Sequence, residues 1–111
     1  MPDTLDAHSR RVDELEREVT AYLSEYGPPG DEWRQRGACL GVDPSVFFPE
    51  RGEATLQAQI ICAECPVRVE CLTWSIVTRE RQGVWGGVAE RTRRLLRRRL
   101  DPERGGYAAS A

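Results

Sequence analysis

The sequence of 111 residues contains no lysine, a single histidine and few aromatic residues. All sixteen basic residues are arginine, and the aromatic residues are two Phe, three Trp and three Tyr. A lone histidine excludes metal sites built from several imidazoles, so we expect His8 to be solvated or interfacial. A chain this short and poor in large apolar residues often needs disulfides or a metal for stability, which directs attention to its four cysteines.

Long apolar segments are missing as well. The first nineteen residues have no apolar stretch of the kind found in signal peptides. No run approaches the roughly eighteen apolar residues of a membrane span. We therefore expect a cytoplasmic protein with no membrane partner. In a reducing cytosol, clustered cysteines more often bind metal or do redox chemistry than form structural disulfides.

Hydrophobic periodicity predicts an all-α fold, a small domain of about four to five helices with an extra N-terminal helix. No convincing β-alternation and no internal repeat is present. Proline, glycine and capping residues mark the helix ends, with Asp31 as the predicted cap of a short helical turn. The predicted helices cover residues 4–24, 31–36, 53–64, 66–79 and 89–100.

Composition divides the chain into three segments with opposite charge at the two ends. Residues 1–36 hold nine acidic residues against five arginines, whereas residues 91–99 hold six arginines and no acid. This asymmetry suggests two different partners or surfaces. The segments are an N-terminal amphipathic helix with the break GPPG (1–30), a cysteine-bearing domain (31–88), and a basic helix with a loose tail (89–111).

The N-terminal helix carries an apolar row that repeats every seven residues. Two readings fit this pattern: an amphipathic helix lying on the rest of the domain, which we favour, or a short coiled-coil site for another chain. The row consists of Leu5, Val12 and Val19, with a companion row of His8, Leu15 and Tyr22.

The four cysteines Cys39, Cys62, Cys65 and Cys71 follow the spacing C-x22-C-x2-C-x5-C. Three kinds of site fit: an iron–sulfur cluster on four thiolates, a tetrahedral zinc site, or disulfides and a C-x-x-C redox couple. Zinc modules usually have two C-x2-C pairs and only one exists here, although the spacing matches neither common ferredoxin pattern. Spacing alone ranks the cluster first, zinc second and thiol redox third.

Local geometry favours a shared site for these thiols. Cys62 ends one predicted helix and Cys65 begins the next, so a single tight turn can direct both sulfurs toward one point. Cys71 follows about one and a half helical turns later. The stretch 40–61 is long enough to fold back and bring Cys39 to the other three.

Five further sequence elements occur in order: WRQRGAC (33–39), VDPSVFFP (42–49), CAECPVRVECLTW (62–74), GVWGG (83–87) and AERTRR (89–94). Over about residues 33 to 99, this combination resembles the WhiB-like proteins of actinobacteria and their phages. The resemblance implies a transcription regulator in which one 4Fe–4S cluster, held by all four cysteines, organises the helices. It also implies a cluster that reacts with nitric oxide and oxygen.

The same resemblance implies a partner, the C-terminal domain of the primary sigma factor of RNA polymerase. The cluster pocket and nearby aromatic residues would form the contact, and no small-molecule substrate is expected. Carried over by position, the sigma-contact candidates are Trp33, Phe47, Phe48 and Trp85.

Local pattern refines the expectations for these aromatic residues. Phe47 and Phe48 are adjacent, so one should pack inward while the other stays available outside. Trp74 lies on a helix with apolar neighbours, and we expect it in the core. Trp85 either anchors a partner or only covers the cluster.

The last predicted helix has a basic face. On a helical wheel five arginines fall in an arc of about 160°, opposite Leu95, Leu96 and Leu100, while Arg99 falls on the apolar side. Such a face fits the phosphates of promoter DNA, although a solvated helix or a contact to acidic polymerase surfaces fits too. The DNA-contact candidates are Arg91, Arg93, Arg94, Arg97 and Arg98.

Two functions from other classes stay open. A cluster-free chain could be a thiol–disulfide oxidoreductase that uses Cys62 and Cys65, although no thioredoxin-like βαβ pattern surrounds them. A zinc-stabilised interaction module without sensing is the other. We favour the regulator and expect no enzyme.

Overall fold

The computed structural model describes residues 4–50 and 55–100, with side chains from residue 7 onward. Its elements are four α-helices and two short 3-10 helices, and the only β-type pairing within the described ranges is an isolated bridge between Trp85 and Val88. The all-α prediction is therefore confirmed. In chain order the elements are α1 Thr4–Tyr26, η1 Glu32–Arg36, η2 Pro44–Phe47, α2 Leu56–Ala63, α3 Arg68–Val77 and α4 Glu90–Leu100.

Helix α1 is part of the main core. Its residues Val12, Leu15 and Val19 are almost completely buried and pack with apolar residues of α3 and α4. Burying such a row removes apolar surface from water, which holds α1 on the domain. The favoured reading of the heptad row, a helix lying on the domain, is confirmed for these three residues.

The remaining residues of the heptad rows differ in their environment. His8 is exposed, as expected for a histidine that is not a core residue, and Tyr22 is half-buried beside Tyr26, with ring centroids 4.9 Å apart. The side chain of Leu5 lies outside the described residues.

Helix α4 closes the core from the other side. Leu96 is fully buried, and Leu95 and Leu100 pack against the same cluster. Arg99 extends toward α1, where its guanidinium contacts Asp13 at 2.6 Å and Glu16 at 3.2 Å. The predicted apolar side of this helix is therefore confirmed, with Arg99 placing its charged end in contact with solvent and acids.

Several element ends differ from the prediction. The helix predicted from residue 53 begins at Leu56, and the next begins at Arg68 rather than at Pro66. Asp31 precedes η1 but makes no capping hydrogen bond with its side chain, so that capping prediction is wrong. The predicted stop at 101–102 and the tail lie outside the described residues.

The segment expected to be a loop after Cys39 contains the 3-10 helix η2. Asp43 caps this element, because its side chain accepts a hydrogen bond from the Ser45 N–H at 3.0 Å. Phe47, at the end of η2, joins a second apolar cluster with Ala58, Cys62 and Val84. This second cluster places η2 against α2, next to the cysteines.

None of the helices in the described part of the chain has the length and apolar character needed to cross a membrane.

Replacement of Leu15 by Ala should lower the free energy of unfolding by about 2–5 kcal/mol, because it leaves a cavity between α1, α3 and α4. Leu56→Ala, at an exposed position of α2, should change it by less than about 0.5 kcal/mol. Urea denaturation in reducing buffer measures both. Equal stability of the Leu15 variant and the wild type would mean that α1 is not part of the core.

Candidate functional site

All four cysteines line one cavity of about 400 Å³. Three separate parts of the chain supply them: the loop after η1, the α2–α3 junction, and α3 itself. Cys62 is buried, Cys65 and Cys71 are partly buried, Cys39 is exposed, and all four thiols are free. The structure thus brings together the residues that the spacing singled out.

A tight turn and a long-range hydrogen bond place Cys65 between its partners. The Cys65 N–H donates to the carbonyl of Cys62 at 3.0 Å, which ends α2 and turns both side chains toward the cavity. The N–H of Ala38 then donates to the Sγ of Cys65 at 3.3 Å. This contact fixes the loop that carries Cys39 beside the α2–α3 junction.

The segment Gly83–Val88, called the glycine turn below, lines the same cavity through Val84, Trp85 and Gly86. The main-chain N–H of Gly86 favours the thiolate of Cys71, and the N–H of Gly87 favours that of Cys62. Gly86 has φ of 61°, and a Cβ there would lie 2.6 Å from a main-chain carbonyl oxygen of α3. Only glycine permits this backbone to approach α3 so closely.

Burial determines the protonation of two of the thiols. Desolvation raises the pKa of Cys71 to about 12, although the Gly86 N–H favours its thiolate. Desolvation also raises the pKa of Cys62, and the nearby thiols add to the effect in both cases. These thiols keep their protons at neutral pH in the free chain, and a bound metal would displace them.

Three tryptophans form a cluster beside the cavity. The ring centroids of Trp33 and Trp74 lie 5.9 Å apart, and those of Trp74 and Trp85 lie 5.1 Å apart. The guanidinium of Arg34 lies over all three rings, 4.2 Å from the centroid of Trp74. Trp74 is therefore half-buried in this cluster, and its assignment to the core is wrong.

Sequence reasoning missed Arg34 and Arg68. Arg34 follows Trp33 directly, but nothing in the sequence shows that three indoles would surround it. Arg68 lies within the matched cysteine segment and lines the cavity, where its positive charge favours the thiolate of Cys62. Its guanidinium pairs with Glu18 of α1, so the residue connects the cavity to the core helix.

The four aromatic contact candidates fall into two pairs. Trp33 and Phe47 are buried, with 5% and 8% of their surface exposed, whereas Phe48 is 47% exposed and Trp85 is half-buried. The expected division of the two phenylalanines, one inward and one outward, is confirmed. Leu40, which the sequence did not single out, also lines the cavity and is 61% exposed.

Two observations test which inorganic group the cavity residues fit. In the described ranges, no three or more His, Cys, Asp or Glu side chains are grouped to hold a single metal ion. Sulfurs on one zinc would lie roughly 3.8 Å apart, given Zn–S bonds of about 2.3 Å. The four thiols line one cavity without the close grouping that a single ion needs, which suits a larger group with several metal atoms better.

An unpaired hydrogen-bond donor also bears on which group fits the cavity. The Nε1 of Trp33 is buried without a hydrogen-bond partner among the described residues, and Trp33 lines the cavity. A buried N–H left unpaired costs free energy. A bound group with acceptor atoms, such as an inorganic sulfide, could supply the missing partner.

The predicted basic face of α4 is smaller than expected. Arg93 is completely buried and Arg97 is 8% exposed, so the placement of both on a DNA-facing surface is wrong. Their guanidiniums donate to main-chain carbonyls of the segment that precedes α4. Of the five candidates, three remain exposed: Arg91, Arg94 and Arg98.

These three arginines form one stripe, because residues at i, i+3 and i+7 lie on the same side of a helix. Arg94 is also within 2.9 Å of Glu90 one turn earlier, at the exposed surface. Such a pair contributes little to stability, so Arg94 can exchange it for another anion.

Comparison with known proteins identifies the family of the chain. The family model "Transcription factor WhiB" matches residues 33–96, which include all four cysteines and more than half of the chain. Transcriptional regulator WhiB2 of Mycobacterium tuberculosis is 46% identical over 83 residues, covering 73% of this chain and 93% of the relative. Transcriptional regulator WhiB of Streptomyces coelicolor is 46% identical over 66 residues, covering 60% of this chain and 76% of the relative. The chain therefore belongs to the WhiB family of transcription factors.

Proposed function

We propose that this WhiB-family transcriptional regulator holds a redox- and nitric-oxide-responsive 4Fe–4S cluster on Cys39, Cys62, Cys65 and Cys71. It acts through the C-terminal domain of the primary sigma factor and through promoter DNA. The observation that carries the proposal is the convergence of four free thiols, from three parts of the chain, on a single cavity.

Amide groups support a cluster in this cavity. The sulfur of Cys65 accepts the N–H of Ala38, and the amides of Gly87 and Gly86 favour the thiolates of Cys62 and Cys71. When bound, the cluster would supply a redox-active centre that reacts with nitric oxide and oxygen. The surrounding residues would set its potential through these hydrogen bonds and through burial.

The four proposed ligands differ in exposure, which makes the cavity accessible mainly from one side. Cys39 is exposed, whereas Cys65 and Cys71 are partly buried and Cys62 is buried. Small molecules would therefore reach the cavity from the side of Cys39. A signal that removes a ligand would act first on the loop that follows η1.

The rim of the cavity fits a protein partner. Leu40, Phe48 and Trp85 line the cavity, and the first two are largely exposed. Aromatic residues at the centre of an interface often dominate its binding energy. A partner seated there, as we propose for the sigma domain, would cover both the rim and the exposed thiol.

An oxidoreductase is the weaker candidate. A C-x-x-C nucleophile needs an accessible thiol with a lowered pKa. Cys62, the first cysteine of the pair, is buried and its pKa is raised, with desolvation as the main cause. Cys62 is therefore neither accessible nor lowered in pKa, and it lacks both properties that an attacking thiol needs.

Protein purified without oxygen should be brown and contain iron and acid-labile sulfide in equal amounts. Each Cys→Ser substitution should lower the iron content, because it removes one of four ligands. Ala63→Ser adds the same hydroxyl next to Cys62 at an exposed position and should retain the iron. Elemental analysis measures all five variants, and a colourless protein with one zinc per chain would contradict the cluster.

Phe48→Ala should weaken binding of the sigma domain by about tenfold or more, because it removes an exposed aromatic anchor. Leu56→Ala, at an exposed apolar residue of α2 outside the cavity lining, is the matched control and should bind as wild type does. Anaerobic titration calorimetry measures the affinity, with iron content as a check. Unchanged affinity of the Phe48 variant would show that the partner does not use the rim.

Replacing Arg91, Arg94 and Arg98 by Gln should reduce the log–log salt slope of DNA binding by about 0.9 for each phosphate that the helix no longer neutralises. The matched control replaces Arg10, Arg11 and Arg17 of α1, which changes the net charge equally. Fluorescence anisotropy at several salt concentrations measures the slope. Equal slopes in the two triple variants would count against a role for the α4 stripe.

A further inference from the structure

Arg93 occupies an unusual position for a charged residue. Its side chain is completely buried at the start of α4, and among the described residues it forms no ion pair with a carboxylate. Taking a guanidinium out of water is costly unless its donors are satisfied. Here both terminal nitrogens are bonded, and the Nε alone lacks a partner among the described residues. Its hydrogen bonds therefore indicate what the residue is there to hold.

Four main-chain carbonyls accept hydrogen bonds from the guanidinium of Arg93. One nitrogen donates to Gly83 and, at 2.8 Å, to Val88. The other donates to Glu80 at 3.1 Å and to Gln82 at 3.3 Å. The bonds to Gly83 and Val88 reach the two ends of the glycine turn, so one side chain spans the whole turn.

The same turn places two main-chain amides at the thiol cavity. Between the two carbonyls lie Gly86, which lines the cavity with Cys62 and Cys71, and Gly87. Their N–H groups favour the thiolates of Cys71 and Cys62. All three glycines of the turn have positive φ, a conformation that few other residue types adopt readily. Holding both ends limits the conformations open to the residues between them.

We infer that Arg93 is a positioning residue for the thiol site, which fixes the Gly83–Val88 turn so that its amides meet the sulfurs. The part that concerns a bound cluster rests on the proposed function. Arg93 acts through the turn and contacts neither sulfur itself. It also connects the cavity to the helix that carries the exposed arginine stripe.

No other residue type reproduces this arrangement. A guanidinium has five donors in a planar fork, and its two terminal nitrogens serve four carbonyls here. Lysine has three donors on one nitrogen and cannot reach four carbonyls with comparable geometry. An uncharged residue would leave the carbonyl of Gly83 without its partner, at a cost in free energy. The carbonyls of Glu80, Gln82 and Val88 would each keep one other donor, from Arg97 or from Trp85.

The test compares Arg93→Lys with Arg97→Lys and the wild type. Arg97 is the matched control, because it is a buried arginine of the same helix whose only described hydrogen bond goes to Glu80, outside the turn, at 3.4 Å. Hydrogen–deuterium exchange with mass spectrometry, on anaerobically purified protein, follows peptides that contain residues 83–88. Peptides from α1 and α3 report on the core.

We expect Arg93→Lys to accelerate exchange in the 83–88 peptide at least tenfold, with core peptides and Arg97→Lys close to wild type. In iron-loaded protein the reduction potential should also become more negative, because weaker N–H···S bonds no longer stabilise the reduced cluster. Unchanged exchange in the turn would overturn the inference. So would a uniform acceleration that includes α1 and α3, because that result indicates only general destabilisation.

The two proposals can fail independently. Iron and sulfide content of the wild type tests the cluster, whereas exchange in the turn tests Arg93 even when no iron is present. A colourless wild type with a turn loosened only in Arg93→Lys would retain the positioning role and refute the cluster. A brown wild type, together with unchanged exchange of the turn in Arg93→Lys, would support the cluster and refute the positioning role.

Discussion

Main-chain amides directed at sulfur organise the centre of this protein. The N–H of Ala38 donates to the sulfur of Cys65, and the amides of Gly86 and Gly87 favour the thiolates of Cys71 and Cys62. They come from two loops, the one after η1 and the glycine turn. The apolar core formed by α1, α3 and α4 lies to one side of this arrangement. The cavity between the loops leaves its lining atoms with few packing neighbours, so a group that fills it would stabilise the fold as it binds.

Arginine replaces lysine throughout the chain, and its positions show why that matters. Arg34 lies over indole rings, Arg68 pairs with Glu18 beside the cavity, and Arg93 bonds four carbonyls. Each role uses the planar, multidonor head of arginine. Arg68 is partly buried and Arg93 is completely buried. The basic residues of this protein are therefore structural parts of the site as well as surface charges.

Periodicity and spacing predicted a large share of the molecule. The heptad row located α1 and its buried face, because Val12, Leu15 and Val19 repeat at the interval that a helix presents to one side. The cysteine spacing and the family resemblance singled out the four thiols that line the cavity. The adjacency of Phe47 and Phe48 was enough to predict that they would face opposite ways.

The errors arose where contacts come from distant segments. A helical wheel gives the direction of Arg93 and Arg97 on α4, but not the carbonyls that the preceding loop places against them. Trp74 has an apolar neighbourhood on its own helix, while the indoles that contact it come from residues about forty positions earlier and about eleven later. The missing side-chain cap at Asp31 has a similar cause. Packing of the buried Trp33, rather than a capping hydrogen bond, holds the short 3-10 helix η1 in place.

The clustering of the indoles has an optical consequence. The chain has three tryptophans, and all of them lie in the group beside the thiols. Ultraviolet emission from the whole molecule therefore originates almost entirely at this one place. A light-absorbing occupant of the cavity would quench that emission, and its departure would restore it, so the native chain carries its own label for whatever enters or leaves.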